Sequence, residues 1–189
     1  QLDPRWRTAG IGLLAALLLV GLAAACGGGD QEEVEDIDVA SVTIVSGDGQ
    51  TGTAGMALSE TLTVRLLTAS GKPATGQTVT FAIAWGQGSV YLGTVAADAG
   101  GYARESWTLG TYTGVHRVDV RSITADGAVR TWVYFTATAK SDVPSALQAW
   151  SDAFQRGIQG QPLPQASSVK VVDRYGNACE SVDVTFTAD

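Results

Sequence analysis

Thr61-Leu62-Thr63-Val64-Arg65-Leu66, residues 61–66, places apolar side chains on the even positions and polar ones on the odd. The same period of two runs through Thr78-Val79-Thr80-Phe81-Ala82-Ile83 and through Arg117-Val118-Asp119-Val120-Arg121. Successive side chains of a strand point to opposite faces, so this alternation lays one face on a core and leaves the other in water. Turn signals separate the runs: Gly47-Asp48-Gly49, Ser70-Gly71-Lys72-Pro73, Gly86-Gln87-Gly88, Ala99-Gly100-Gly101, Gly110 and Asp126-Gly127. The spacing predicts strands near 41–45, 59–68, 77–85, 89–96, 102–109, 114–124 and 128–138. Seven short strands in about 100 residues, with no helical period, is the pattern of an all-β chain folded as an antiparallel β-sandwich.

An internal repeat extends this reading. Sliding the chain by 105 residues aligns 39–84 with 144–189 without a gap, and ten positions are identical. Ser46, Gln50, Gly52, Gly55 and Leu58 meet Ser151, Gln155, Gly157, Gly160 and Leu163. Val64 and Gly71 meet Val169 and Gly176, and Val79-Thr80-Phe81 meets Val184-Thr185-Phe186. About three matches would arise by chance at ordinary residue frequencies. A period of this length suits whole domains in series rather than a solenoid. The second copy reaches only the point equivalent to Ala84, so it is expected to hold three of seven strands and no closed core.

Val79-Thr80-Phe81 after Gly71-Lys72-Pro73, then Asp98-Ala99-Gly100-Gly101-Tyr102-Ala103, then Trp107-Thr108-Leu109-Gly110, resembles the bacterial Ig-like domain of group one. That module recurs in invasin- and intimin-type adhesins and in tandem-repeat surface lipoproteins. Val45-Ser46-Gly47-Asp48-Gly49-Gln50 resembles the first strand and loop of such repeats. The resemblance covers about 39–139 fully and 144–189 in part. Ala178 stands in the second copy where the first has Pro73, and Asp152-Ala153-Phe154 replaces the Gly-Asp-Gly loop. It implies a non-enzymatic rod of Ig-like β-sandwiches that spaces or presents an adhesive tip.

The N-terminal stretch implies export. Arg5 and Arg7 precede an apolar run from Ile11 to Ala25, 15 residues long, ending in Ala23-Ala24-Ala25-Cys26-Gly27. A basic segment, an apolar segment and small residues before a cleavage point make a signal peptide, and the run is short of the roughly 20 residues a spanning helix needs. The cysteine after three alanines resembles the lipobox of bacterial lipoproteins, although Ala23 stands where Leu is usual. The resemblance implies a Cys26 carrying lipid and a chain held on the membrane by more than one acyl group. The alternatives are a secreted protein cut at the Ala-x-Ala site and an uncleaved anchor. Residues 30–38 then hold six carboxylates in nine positions, a self-repelling spacer. The expected organisation is a signal peptide over 1–25 and a lipid-anchored acidic linker over 26–38. An Ig-like sandwich over 39–140 and a truncated second domain over 141–189 follow.

Other chemistry finds little support. The net charge is −7, and −8 once Asp3, Arg5 and Arg7 leave with residues 1–25. With no Lys or Arg cluster, nucleic acid is not an expected partner. Gly47-Asp48-Gly49-Gln50-Thr51-Gly52 spells G-x-G-x-x-G, but a β run follows instead of a helix, and no Lys completes a P-loop. Cys179 has no intrachain partner if Cys26 is acylated. His116 is the sole histidine, so a zinc site and a Ser-His-Asp triad both lack their parts. His116 is expected at the sandwich rim. Asp98 and Asp126, beside glycines, read as turn residues before they read as calcium ligands. No catalytic residue, metal or cofactor is expected.

The aromatics carry the one binding signal. Trp107 has the parity of Ala103 and Leu109 and is expected in the core, while Trp85 is expected to close one end of the sandwich. Trp132 and Tyr134 alternate with Val133 and Phe135, which predicts an exposed Trp132–Tyr134 row for a neighbouring domain or for sugar rings. The chain as a whole reads as an exported, lipid-anchored envelope protein of the outer membrane or cell surface. Its expected partners are the membrane, neighbouring Ig-like domains, and an envelope glycan or protein. The alternative is a carbohydrate-binding module or a scaffold for a catalytic domain encoded downstream.

Overall fold

In a computed structural model, residues 38–123, 128–151 and 154–187 are described, and all of them are extended or loop. They belong to one compact unit of the chain. The strands are β1 (Ser41–Ser46), β2 (Gln50–Thr53), β3 (Leu62–Leu67), β4 (Thr78–Trp85), β5 (Gly88–Val90) and β6 (Thr94–Ala96). They continue as β7 (Tyr102–Glu105), β8 (Trp107–Leu109), β9 (Gly114–Ile123), β10 (Val129–Lys140), β11 (Pro144–Ala149) and β12 (Val169–Asp173). A three-stranded sheet β1-β3-β7 faces a five-stranded sheet β2-β10-β9-β4-β6, with a short β5-β8 ribbon beside them and a separate β11-β12 pair. The all-β sandwich expected from the alternation is present.

The core follows the period of two. Leu62, Val64 and Leu66 from β3, Val79 and Phe81 from β4, Val118 and Val120 from β9, and Phe135, Ala137 and Ala139 from β10 are buried together. Phe81 and Phe135 stack at its centre with ring centroids 6.2 Å apart. Trp107 and Leu109 close it from β8, so Trp107 lies where its parity put it.

Ten strands replace the expected seven over residues 39–140, and each addition has a local cause. The run 102–109 keeps its facing throughout but changes partner at Ser106, from β3 before it to β5 after it. The run 89–96 breaks at residues 91–93, which wrap around the Glu105 carboxylate. Its oxygens accept the N–H groups of Tyr91 (3.0 Å), Leu92 (2.9 Å), Gly93 (2.7 Å) and Ser106 (2.8 Å). Strand β2 was not expected at all. The chain leaves β1 through Gly47 and Gly49, both at positive φ (91° and 70°), a conformation that costs glycine little. It then joins β10 in parallel, the one parallel pairing among the described strands. Asp48 Oδ1 fixes the crossing by accepting the N–H of Thr136 at 2.7 Å.

Hydrogen bonds recur at the sequence offset of 105. The pairs Ser41–Leu67, Val42–Leu66, Thr43–Arg65 and Ile44–Val64 of β1–β3 correspond to Ala146–Val172, Leu147–Val171, Gln148–Lys170 and Ala149–Val169 of β11–β12. The bridge Leu67–Pro73 corresponds to Val172–Ala178. Glu60 N–H donates to Gln50 Oε1 at 3.0 Å, and Gln165 N–H to Gln155 Oε1 at 3.1 Å. The third strand expected within 144–189 is not among the described strands: Val184-Thr185-Phe186 stands in no strand, and Leu147 and Phe186 are exposed. The expected signal peptide, Cys26 and the expected acidic linker up to Ile37 lie outside the described residues.

Candidate functional site

The outer face of the five-stranded sheet carries Trp85 and Tyr134 together with Arg117, Asp119 and Arg121. Across β4, β9 and β10 the backbone sets three rows: Thr80–Arg121–Thr131, Ala82–Asp119–Tyr134 and Trp85–Arg117–Thr136. Arg117-x-Asp119-x-Arg121 puts all three charges outward, because Val118 and Val120 between them face the core. Arg117 Nε and Arg121 Nη2 each donate to one Asp119 carboxylate oxygen at 2.7 Å. Burial opposes the Asp119 charge, but the Arg121 and Arg117 donors outweigh it and hold its pKa below the ordinary carboxylate value. The Arg117 guanidinium also lies 4.0 Å from the centre of the Tyr134 ring.

Trp132 and Tyr134 do not form the expected row. A bulge between Thr131 and Val133 adds one residue to β10. An extra residue breaks the strict alternation of facing, and both Trp132 and Val133 pack against the core. Trp132 donates from Nε1 to Ser122 Oγ at 2.7 Å, and Arg130 covers its ring at 3.6 Å. Tyr134 stays outside. Its neighbour on this face is Trp85, because a second bulge between Ile83 and Trp85 turns that indole outward next to Arg117. Trp85 is 71 % exposed, so it does not cap the core. Grooves flank it on two sides, one towards Gln87, Tyr112 and His116, the other towards Arg117, Tyr134 and Thr136.

His116 is buried at the rim beneath the first groove. Nε2 lies 2.9 Å from the Tyr112 carbonyl and Nδ1 accepts the Gly110 N–H at 3.3 Å, which makes it a brace for the 110–112 loop. Asp98 is a turn residue: Oδ1 accepts the N–H groups of Gly100 and Tyr102, and Oδ2 pairs with Arg104 at 2.6 Å. Asp126 lies outside the described residues. Among the described residues no three His, Cys, Asp or Glu side chains are grouped to hold a metal, and no helix is long and apolar enough to cross a membrane.

A second polar cluster joins the turn after β12 to the sandwich. Asp173 is buried. Its Oδ1 accepts the N–H groups of Tyr175 and Asn177 (both 2.9 Å), and its Oδ2 accepts Asn177 Nδ2 (2.8 Å) and the Asp142 N–H (3.0 Å). Asn177 Nδ2 also donates to the Thr111 carbonyl at 2.8 Å, and its Oδ1 accepts the Thr113 N–H at 3.3 Å. Arg174 pairs with Asp142 at 2.9 Å, and the Tyr175 hydroxyl lies against Gly55. Burial works against the Asp173 charge, but the Asn177 amide and then the three backbone donors prevail and lower its pKa to about 2. A depressed carboxylate stabilises the fold above its unfolded value, and that contribution fades as pH falls through the folded value. The junction should therefore hold at pH 4 and loosen towards about pH 2. A carboxyl 13C titration of Asp173 should show a midpoint near 2, and Asn177→Ala should move it upward; an ordinary midpoint in the unsubstituted chain would refute the arrangement.

No family model matches the chain, and no curated protein matches it closely enough to count. Among solved structures it is similar to InvD of Yersinia pseudotuberculosis, at 15 % identity and a TM-score of 0.47 over 75 % of this chain and 44 % of that one. It is also similar to the surface layer protein SbsC, domains 1–6, at 18 % identity and a TM-score of 0.39 over 75 % of this chain and 17 % of that one. The chain thus spans less than half the length of either.

Proposed function

We propose that the chain is a non-enzymatic, lipid-anchored protein of the bacterial cell envelope, at the outer membrane or cell surface. In this reading its tandem Ig-like sandwiches, 39–140 and the partial 141–189, form a stalk or adhesion module. The observation that carries it is the recurrence of one pairing register 105 residues apart, with a hydrogen-bonded junction between the copies. An array of modules on an acidic spacer behind an acylated Cys26 is suited to hold a surface away from a membrane, and needs no catalytic group. The test is Cys26→Ser in the exporting host. The unsubstituted chain should take up labelled fatty acid and sediment with membranes, and the variant should lose both; unchanged labelling and fractionation would sink the anchor.

The second reading is a carbohydrate-binding module, and the exposed Trp85 supports it, flanked by grooves that reach Tyr112 and Tyr134. Indole and phenol faces stack on sugar rings, and Arg117 beside them supplies hydrogen-bond donors. Trp85→Ala should then abolish retention on an envelope glycan while changing stability by no more than about 0.5 kcal/mol, as surface substitutions do. A glycan array that is blank at millimolar sugar for the unsubstituted chain would remove this reading.

A further inference from the structure

We infer that the turn Asp173-Arg174-Tyr175-Gly176-Asn177 is a docking element for the end of a preceding sandwich, whereas its counterpart Thr68-Ala69-Ser70-Gly71-Lys72 is not, so that modules of this type stack in one direction with 39–140 as the first of the stack. This rests on reading residues 141–189 as a second copy. The two turns share a backbone. Thr68 N–H donates to the Lys72 carbonyl at 2.9 Å, and Gly71 N–H to the Thr68 carbonyl at 3.0 Å; Asp173 with Asn177 and Gly176 with Asp173 repeat both bonds at 2.9 and 3.0 Å. Gly71 and Gly176 take the same left-handed conformation, φ 80° and 86°. What distinguishes the turns is side chains alone.

Each of those side chains has a task in the second turn that the first cannot perform. Asn177 both donates to Thr111 and accepts from Thr113, which requires an amide. Lys72, at its place, has three donors and no acceptor, so it would leave the Thr113 N–H unmet. Tyr175 reaches the bare backbone of Gly55, where a Cβ would strike the phenol hydroxyl. Ser70, at its place, is too short to do so, and its hydroxyl is turned to that of Thr68 at 2.9 Å. Asp173 grips the linker through the Asp142 N–H, and Arg174 grips it through the Asp142 carboxylate. Ala69 and Thr68 offer neither charge. The receiving side is drawn the other way: Gly55 at φ 76° is matched by Gly160 at φ 78°, and Gly160 has open space beside it. The receiving glycine is kept in both copies and the docking side chains in one. The partner that fits a receiving end is therefore another module's Asp-x-Tyr-Gly-Asn turn.

The test is 15N relaxation on the full chain. The amides of β11 and β12 should tumble with those of 41–140. A variant given the first turn's residues (Asp173→Thr, Arg174→Ala, Tyr175→Ser, Asn177→Lys) should keep the β11–β12 cross-strand NOEs and lose the common tumbling. If the graft disturbs β11–β12, the smaller change Tyr175→Ala with Asn177→Ala decides, with the same loss expected. Common tumbling that survives these changes would overturn the inference. So would separate tumbling of the unsubstituted chain with β11–β12 intact. Absence of β11–β12 NOEs in the unsubstituted chain would instead remove the two-copy reading beneath it.

Discussion

Glu105→Ala should cost the sandwich about 3 kcal/mol or more. The carboxylate is 2 % exposed and accepts four backbone N–H groups. Truncation strands the Leu92, Gly93 and Ser106 donors, while the Tyr91 N–H keeps the Ser106 carbonyl at 3.1 Å, and each orphaned donor costs about 1–3 kcal/mol where it is shielded from water. For a domain of this size the melting point should fall by roughly 10–20 °C. Glu105→Gln should fall between the two, because one amide oxygen remains while the NH2 group confronts donors. Urea unfolding of the full chain, followed by tryptophan fluorescence, measures it. A loss below about 1 kcal/mol for the alanine variant would mean that residues 91–93 do not depend on this anion.

The second large effect separates two residues of identical local sequence. Phe81 and Phe186 each end a Val-Thr-Phe run, 105 residues apart. Phe81 is 1 % exposed and stacks on Phe135; Phe186 is 61 % exposed and stands in no strand. Phe81→Ala opens a cavity in a closed core and should cost about 3–5 kcal/mol. Phe186→Ala removes a ring that already meets water and should change stability by no more than about 0.5 kcal/mol. Comparable losses at both positions would show that residues 144–189 close a core of their own in solution.

Strands β3 and β9 and the first part of β4 were legible in the sequence because each carries a period of two with branched or aromatic residues on one side. Strand β2 was not, since Gln50-Thr51-Gly52-Thr53 has no apolar alternation and owes its place to the backbone of β10. The two bulges were equally hidden. Neither Thr131-Trp132-Val133 nor Ile83-Ala84-Trp85 contains the glycine or proline that would announce an irregularity, so alternation was carried straight through them. That is why Trp132 was paired with Tyr134 on paper, while in the fold Trp85 is its companion. The inward position of Glu105 did have a signal: it shares parity with Ala103, Trp107 and Leu109, all buried. Charge argued for the outside, and four backbone donors reversed it. The Asp173–Asn177 junction could not be read, because its partners Thr111 and Thr113 are brought near by folding and not by sequence.

The parallel pairing of β2 with β10 gives the sandwich a particular response to force. Gln50–Thr53 lies near one end of residues 39–140 and Ala137–Lys140 at the other, and the two segments run side by side in the same direction. A pull that separates residue 39 from residue 140 slides these strands lengthwise past each other. The bonds between them, with the Asp48 clamp on Thr136, are then loaded together and must yield together, whereas an antiparallel hairpin pulled at its open end would surrender them one by one. Unfolding under tension is governed by the rate of escape over that barrier. A module stretched between a membrane and an attached surface would thus meet the load in shear, along its most resistant direction.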